Sequence, residues 1–162
     1  MLEIVTFGSE ILNKKAEPVA EIGSEVRTLA EGMFDAMDRG RGVGLAAPQV
    51  GSSLKVFVTN IEGDQKRVFI NPEIVLTSQE QVEYEEGCLS LPRLYLDVKR
   101  PESVRIQAWN ERGRPFTIEA GGFLARVMLH EYDHLEGLLF IDRLPPAKRE
   151  KALAQYRKLS KG

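Results

Sequence analysis

The sequence predicts an α+β fold in which antiparallel or mixed β-sheets pack around one buried helix, with an amphipathic helix ahead of the sheets and a charged helix behind them. Three observations carry this prediction. Apolar residues between Ser24 and Met37 recur at helical spacing. From Leu54 to Glu119 the pattern changes largely to alternation, broken by turn residues. From Phe123 to about Glu136 the uncharged positions go nearly all the way round a helix, which marks a helix buried on every side.

In chain order, residues 1–23 read as an irregular arm with a short extended start, punctuated by Pro18 and Gly23. Ser24 is a candidate N-cap for a helix whose stripe is Val26, Leu29, Ala30, Met33, Phe34 and Met37, and Gly40 ends it. Gly42-Val43-Gly44-Leu45-Ala46-Ala47-Pro48-Gln49-Val50-Gly51 is a run of small residues that Pro48 keeps from forming a long regular element. It lacks both the dinucleotide-loop and the P-loop spacing. Gln49 is its one side chain with hydrogen-bonding capacity, and by itself reads as structural. Residues 54–59 and 67–71 form a hairpin around Glu62-Gly63-Asp64. Residues 73–86 are more polar, with Ile74, Leu76, Val82 and Tyr84 as inward candidates. A second hairpin, 104–109 and 115–119, turns through Asn110-Glu111-Arg112-Gly113, and Gly121-Gly122 breaks the sheet. After the buried helix, Pro145-Pro146 leads into a terminal helix from Ala147 to Leu159 with Leu153, Tyr156 and Leu159 as its docking face.

A chain of 162 residues with 43% hydrophobic and 28% charged residues is expected to form a single domain, 1–162, that buries one sizeable core without disulfides. The net charge of −2, from 22 basic and 24 acidic residues, recommends neither nucleic acid nor an anionic membrane as a partner. No apolar run approaches the roughly 20 residues of a membrane span. The N-terminus lacks the basic and apolar regions of a secretory signal. A lone cysteine, Cys88, favours the reducing cytoplasm.

The chain's only two histidines lie in His130-Glu131-Tyr132-Asp133-His134, on the buried helix. At about 100° per residue, His134 sits roughly 40° from His130, so both imidazoles project from one face one turn apart and can reach a single metal ion. Glu131 lies about 60° beyond His134, placed to address a ligand of that metal rather than the metal itself. Buried polar groups need partners, and a metal with its water satisfies several at once. A catalytic site of this kind needs a third protein ligand. Cys88, in Glu86-Gly87-Cys88-Leu89-Ser90-Leu91-Pro92, is the one thiol; its neighbours fit a turn at the end of a strand, with Gly87 admitting an unusual backbone angle. A buried structural cysteine is the alternative, and Asp97, Glu86 or Glu136 are the other candidate ligands.

Three segments, Gly42–Gln49, Glu86–Ser90 and His130–His134, resemble in order and spacing the three signature motifs of the peptide deformylases. The resemblance covers nearly the whole chain, and the C-terminal helix is similar to that of the bacterial type 1 branch. Leu129 stands where many members have glutamine, and Arg93 falls at a variable position. What the resemblance implies is a metal-dependent hydrolase that removes the N-formyl group from the N-terminal methionine of newly made polypeptides and releases formate. It implies Cys88, His130 and His134 as ligands of one Fe2+, with Zn2+, Ni2+ or Co2+ able to substitute. It gives Glu131 the role of general base, and Gln49 with the backbone N–H of Leu89 the stabilisation of the oxyanion. Gly42, Val43, Gly44, Leu45, Glu86 and Gly87 are then expected along the substrate backbone, and Val43, Leu124, Val127 and Met128 around the methionine side chain. Asp133 reads as a supporting carboxylate with Arg100 or Arg126 as partner. The implied partners are N-formylmethionyl nascent peptides, with a transient ribosome contact.

Two other readings remain at this stage. A metallopeptidase also uses His-Glu-x-x-His, but takes a further His or Glu downstream, where this chain offers only Glu136 and Glu150. A catalytically silent member would bind metal or dock on the ribosome without chemistry.

Overall fold

A computed structural model describes residues 1–161. The amphipathic stretch forms α1 (Ser24–Arg39), with Val26, Ala30, Met33 and Met37 buried. Gly23 rather than Ser24 occupies its N-cap, and no side chain caps it. The small-residue run forms a short strand, β1 (Gly44–Ala46), followed by a 3-10 turn, Ala47–Val50. The first predicted hairpin is β2 (Val56–Thr59) and β3 (Arg67–Thr77), and the second is β6 (Ser103–Trp109) and β7 (Pro115–Gly121). Together these strands make an antiparallel sheet in the order β1-β2-β3-β6-β7. β4 (Gln81–Cys88) and β5 (Leu91–Pro101) form a separate two-stranded antiparallel sheet.

The strands near the centre explain why the buried helix is apolar on so many sides. All four residues of β2 are buried, because a helix covers each face of the sheet there. Val56 and Val58 share a cluster with α1, Leu45, Val68 and Ile70. Phe57 faces the other way, with Ala46, Phe69 and Ile106, onto α2 (Gly122–Leu135). Alternation thus sorts successive side chains between two cores rather than between core and water. Phe57 and Phe69 stack at 4.4 Å between centroids at the centre of the second core.

A third cluster gathers Leu91, Leu94 and Val98 of β5, the turn Leu139–Ile141, and Ala152 and Leu153 of α3 (Pro146–Lys161). Val5, Phe7, Tyr156 and Leu159 pack against it, so the arm and the terminal helix close the same side. The arm itself contains a 3-10 turn, Glu10–Asn13.

Three local differences from the sequence reading have physical causes. β3 runs past Asn71 to Thr77, because Asn71 takes a positive φ of 51° at a register shift and the strand resumes beyond it. The Asn71 amide also accepts from Val19 N–H and donates to Val19 C=O, tying the arm to the sheet. β5 is not announced by alternation, since its buried positions include an arginine, Arg100, and its exposed ones a tyrosine, Tyr95. Leu76 and Tyr84 were expected to face inward but are exposed, and Tyr84 instead presents its ring to the Arg126 guanidinium, 5.7 Å away. At the end of α2, Gly137 has φ 79° and a Cβ there would meet Asn13 O at 2.9 Å, so only glycine allows the arm to pass.

Candidate active site

The HExxH helix is α2, and its burial places every polar side chain of the motif against another element. Arg126, His130 and Asp133 face the β4–β5 hairpin. The Glu86 carboxylate receives His130 Nδ1 at 2.8 Å, Arg100 Nε at 2.6 Å and Arg126 Nη1 at 2.6 Å. Arg126 also donates to the carbonyls of Val82 and Val98. Asp133 receives Arg100 at 2.8 Å and Arg143 through both carboxylate oxygens, at 2.9 and 2.6 Å. The partners of Asp133 are therefore Arg100 and Arg143, while Arg126 belongs to Glu86.

Cys88 ends β4 at a tight turn in which it pairs with Leu91. That turn delivers its sulfur to the helix: Sγ lies 3.5 Å from His134 Nε2. One ligand atom from each of Cys88, His130 and His134 falls within 4.8 Å of the others. A tetrahedral ion with a sulfur at about 2.3 Å and a nitrogen at about 2.0 Å spaces those two donors about 3.5 Å apart, which the Cys88–His134 distance matches. The nitrogen arrangement of His130 fits as well. His130 commits Nδ1 to Glu86, which leaves Nε2 for a metal, the carboxylate–histidine pairing typical of such sites. Of the other third-ligand candidates, Glu86 is engaged by three cationic or imidazole groups, Asp97 is exposed, and Glu136, the C-cap of α2, is not in the cluster. The donor set of one thiolate and two imidazoles suits a borderline divalent ion.

Burial and charge set the protonation of these groups. Burial would raise the Glu86 carboxyl, but hydrogen bonds from His130 and Arg100 outweigh it and hold it at about 2. Burial and the neighbouring charges of His130 and Arg100 drive His134 well below its ordinary value, so it offers a neutral lone pair. Burial also opposes charge on His130, yet Glu131, Cys88 and Glu86 hold it well above the usual range. A ligating imidazole is neutral, so ion binding there would release a proton. Glu131 is pushed up to about 7, chiefly by burial, against the opposing pull of His130 and Arg100. Its Oε1 is buried and has no hydrogen-bond partner among the described residues.

The two glycines ahead of Gln49 serve the site from behind. A Cβ on Gly44 would meet Val127 at 2.7 Å and Glu131 Oε2 at 2.8 Å, and one on Gly42 would meet the Leu89 side chain at 2.8 Å. Their absent side chains thus admit Glu131 and Leu89. Gly87 likewise admits the Tyr95 ring, at 2.5 Å from its would-be Cβ, rather than an unusual φ. Gln49 is buried, with Nε2 3.6 Å from Cys88 Sγ.

A cleft of about 610 Å³ opens over these groups. Gly42, Val43, Gly44, Gln49, Glu86, Gly87, Cys88, Leu89, Val127, His130 and Glu131 line it. Leu45, Leu124 and Met128 do not. Leu45 and Met128 are fully buried in the two cores flanking the sheet, and Leu124 packs against the second. On a helix buried all round, apolar character could not tell the cleft side from the core side. Phe123, Arg126 and Tyr95 line the cleft and were missed as wall residues; Phe123 and Tyr95 are 50% and 62% exposed. The signal for Phe123 and Tyr95 was an exposed aromatic ring, visible only once α2 and β5 are placed.

A sequence model described as polypeptide deformylase matches residues 1–150. A peptide deformylase of Treponema pallidum is 46% identical over 155 residues, covering 96% of this chain and 95% of that protein. One from Borreliella burgdorferi is 45% identical over 157 residues, covering 96% and 94%. The crystal structure of a peptide deformylase from Legionella pneumophila superposes with a TM-score of 0.93 at 43% identity, covering 99% of this chain and 96% of that one. That of the Thermus thermophilus enzyme gives 0.92 at 43% identity, covering 98% and 94%. With matches of this extent over both sequence and structure, the chain belongs to the peptide deformylase family, metal-dependent enzymes that remove the N-formyl group from nascent polypeptides.

Proposed function

We propose that deformylation of N-formylmethionyl peptides takes place in this cleft, with Cys88, His130 and His134 as ligands of one Fe2+, for which Zn2+, Ni2+ or Co2+ can substitute. The observation that carries the reading is the meeting of one sulfur and two imidazole nitrogens within 4.8 Å, beside a buried carboxylate oxygen with no hydrogen-bond partner among the described residues. When bound, the cation supplies a Lewis acid that polarises the formyl carbonyl and lets a water lose its proton near neutral pH.

The residues do the rest. Glu131, at about 7, is poised both to accept and to return a proton near neutrality. Its carboxylate takes the proton of the attacking water as oxygen adds to the formyl carbon. It then delivers that proton to the amine nitrogen as the carbon–nitrogen bond breaks, so that formate and a free N-terminus leave. Charge on the carbonyl oxygen is met by the Gln49 amide and the backbone N–H of Leu89. Among the described residues β1 is an edge strand paired with β2 alone, so its outer backbone groups can take an extended peptide as an added strand along Gly42–Gly44. Val43, Phe123 and Val127 give the methionine side chain an apolar wall. The cytoplasm, where nascent chains arise and a lone thiol stays reduced, is the compartment this reading needs, and a transient ribosome contact fits it.

The deciding experiment incubates the metal-loaded protein anaerobically with a formyl-Met peptide and with its unformylated counterpart. Formate from the first, with the second uncut, is the expected result; cleavage of the second would point to a peptidase. Glu131→Gln should keep stoichiometric metal and lose formate release by about 10²- to 10⁴-fold, and near-normal turnover would remove it from the role of base. Cys88→Ser should weaken metal binding in a competition titration, and an unchanged affinity would reject the thiol as ligand.

A further inference from the structure

Gln49 can stabilise an oxyanion only if its amide presents nitrogen, not oxygen, to the reacting centre. The surrounding hydrogen bonds decide this. Gln49 Oε1 accepts from the backbone N–H of Ala46 at 3.0 Å, a group that can only donate. Gln49 Nε2 lies 3.1 Å from Ser90 Oγ, and the Ser90 hydroxyl lies 2.6 Å from the carbonyl of Val5. A carbonyl only accepts, so the one hydroxyl proton of Ser90 goes to Val5. The Ser90 oxygen is then left as an acceptor, and Gln49 must offer it an N–H. Two constraints anchored in backbone groups therefore impose the same orientation of the amide. Ser90 takes one hydrogen of the Nε2 group, and the other is directed to the side of Cys88 Sγ, 3.6 Å away.

The N-terminal arm completes the arrangement. Val5 N–H donates to the Gln49 carbonyl at 2.7 Å, and Phe7 N–H donates to the Ser90 carbonyl at 2.8 Å. The arm thus spans the two loops, 41 positions apart in sequence, that carry the oxyanion donors. Ser90 and Gln49 are 0% and 2% exposed, so water does not compete for these bonds.

We infer that Ser90 is a positioning residue for the reaction: through the Val5 carbonyl it fixes the Gln49 amide so that an N–H points into the site. The inference rests on the oxyanion role proposed for Gln49, and the experiment separates the two.

Four metal-loaded proteins are compared by formate release: parent, Gln49→Ala, Ser90→Ala and the double variant. Removing an oxyanion donor costs about 10²- to 10³-fold in kcat, and a mis-aimed one should cost about tenfold or more. Ser90→Ala should therefore lower kcat at least tenfold with little change in KM and unaltered metal stoichiometry. In the Gln49→Ala background the same change should cost less than twofold, because no amide remains to be aimed. Ser90→Thr, which keeps the hydroxyl, should retain most of the parent kcat.

A Ser90→Ala loss that appears in full in the Gln49→Ala background would make Ser90 structural and overturn the inference, as would parent-like turnover of Ser90→Ala. Parent-like turnover of Gln49→Ala would instead overturn the oxyanion role. A measurement on the parent protein guards against a variant that does not fold. In the zinc-loaded form, the Gln49 side-chain NH2 should exchange slowly with solvent in nitrogen-detected magnetic resonance, and fast exchange of both protons would reject the constraint.

Discussion

On the side of α2 that meets the five-stranded sheet, Ala125, Met128, Leu129 and Leu135 pack against Phe57, Phe69 and Ile106 with no polar atom among them. On the side that meets the β4–β5 hairpin, Arg126, His130 and Asp133 are just as deeply buried but meet Glu86, Arg100 and Arg143. Both sides bury their helix residues, and by opposite means. Apolar contacts are non-directional and tolerate swaps that conserve volume. Buried ion pairs recover only part of their desolvation cost, but their bonds are directional. The apolar side therefore holds the helix, and the ionic side sets the rotation of His130 and the reach of the β4–β5 turn that carries Cys88. Variants on the two sides should consequently fail in different ways.

The largest effect is expected at Glu86. Glu86→Gln would keep one acceptor oxygen but remove the charge that faces Arg100, Arg126 and His130, leaving Asp133 as the one carboxylate on Arg100 and the Val82 and Val98 carbonyls as the other acceptors of Arg126. Breaking a buried charge cluster in this way costs about 3–5 kcal/mol, and losing the carboxylate behind a ligating histidine lowers metal affinity about 10- to 100-fold. Denaturant unfolding and a metal competition titration would show both. A loss under 1 kcal/mol with unchanged affinity would mean that the ionic side positions nothing. The same carboxylate makes an acid prediction. Its folded-state value of about 2 lies below the ordinary 4.5, so its stabilisation is complete above about pH 4.5 and is lost as pH falls toward 2. The shift corresponds to about 3 kcal/mol. The parent protein should lose stability over that window, and Glu86→Gln should lose less.

Met128→Ala tests the apolar side. Met128 is fully buried in the second core, and truncating such a side chain costs about 2–5 kcal/mol. The midpoint of denaturant unfolding should fall accordingly. Metal affinity and kcat per metal-loaded molecule should stay within about twofold, because no bond to His130 or Glu131 is touched. A large loss of kcat would show that packing, and not only the ion pairs, sets the site.

The same contrast explains what the sequence revealed. Period and motif spacing suffice where one physical cue dominates: the helical stripe of α1, the two hairpins, and the His130–His134 turn all stand in the structure close to where their patterns place them. Chemistry alone offers Cys88 as one candidate third ligand beside a structural role, and the motif resemblance is what singles it out; the structure brings its sulfur to that turn. The ionic side was harder to read. Arg100 and Arg126 were both candidates for Asp133 and only the structure separates them, while Arg143 lies beyond the helix in a 3-10 turn where nothing local pairs it with Asp133. Ser90 was quoted within a motif without a role, because its partner is a carbonyl 85 positions away. Leu124 and Met128 were placed in the cleft because hydrophobicity alone cannot distinguish a core from a pocket wall.

The smallest effect sharpens the comparison at its outer edge. Arg143 holds Asp133 with two bonds, but its side chain is 45% exposed and Asp133 keeps Arg100 when Arg143 is removed. Water can replace an exposed guanidinium, so Arg143→Ala should cost about 1 kcal/mol, and less at high salt. Metal affinity should not change, because Arg100 and Glu86 still separate Asp133 from His130. If metal affinity fell instead by the factor expected for Glu86→Gln, the bonds from Arg143 to His130 would act as one unit. The ionic side would then reach from the metal ligands to the protein surface, and a charge placed near Arg143 would be felt at the site.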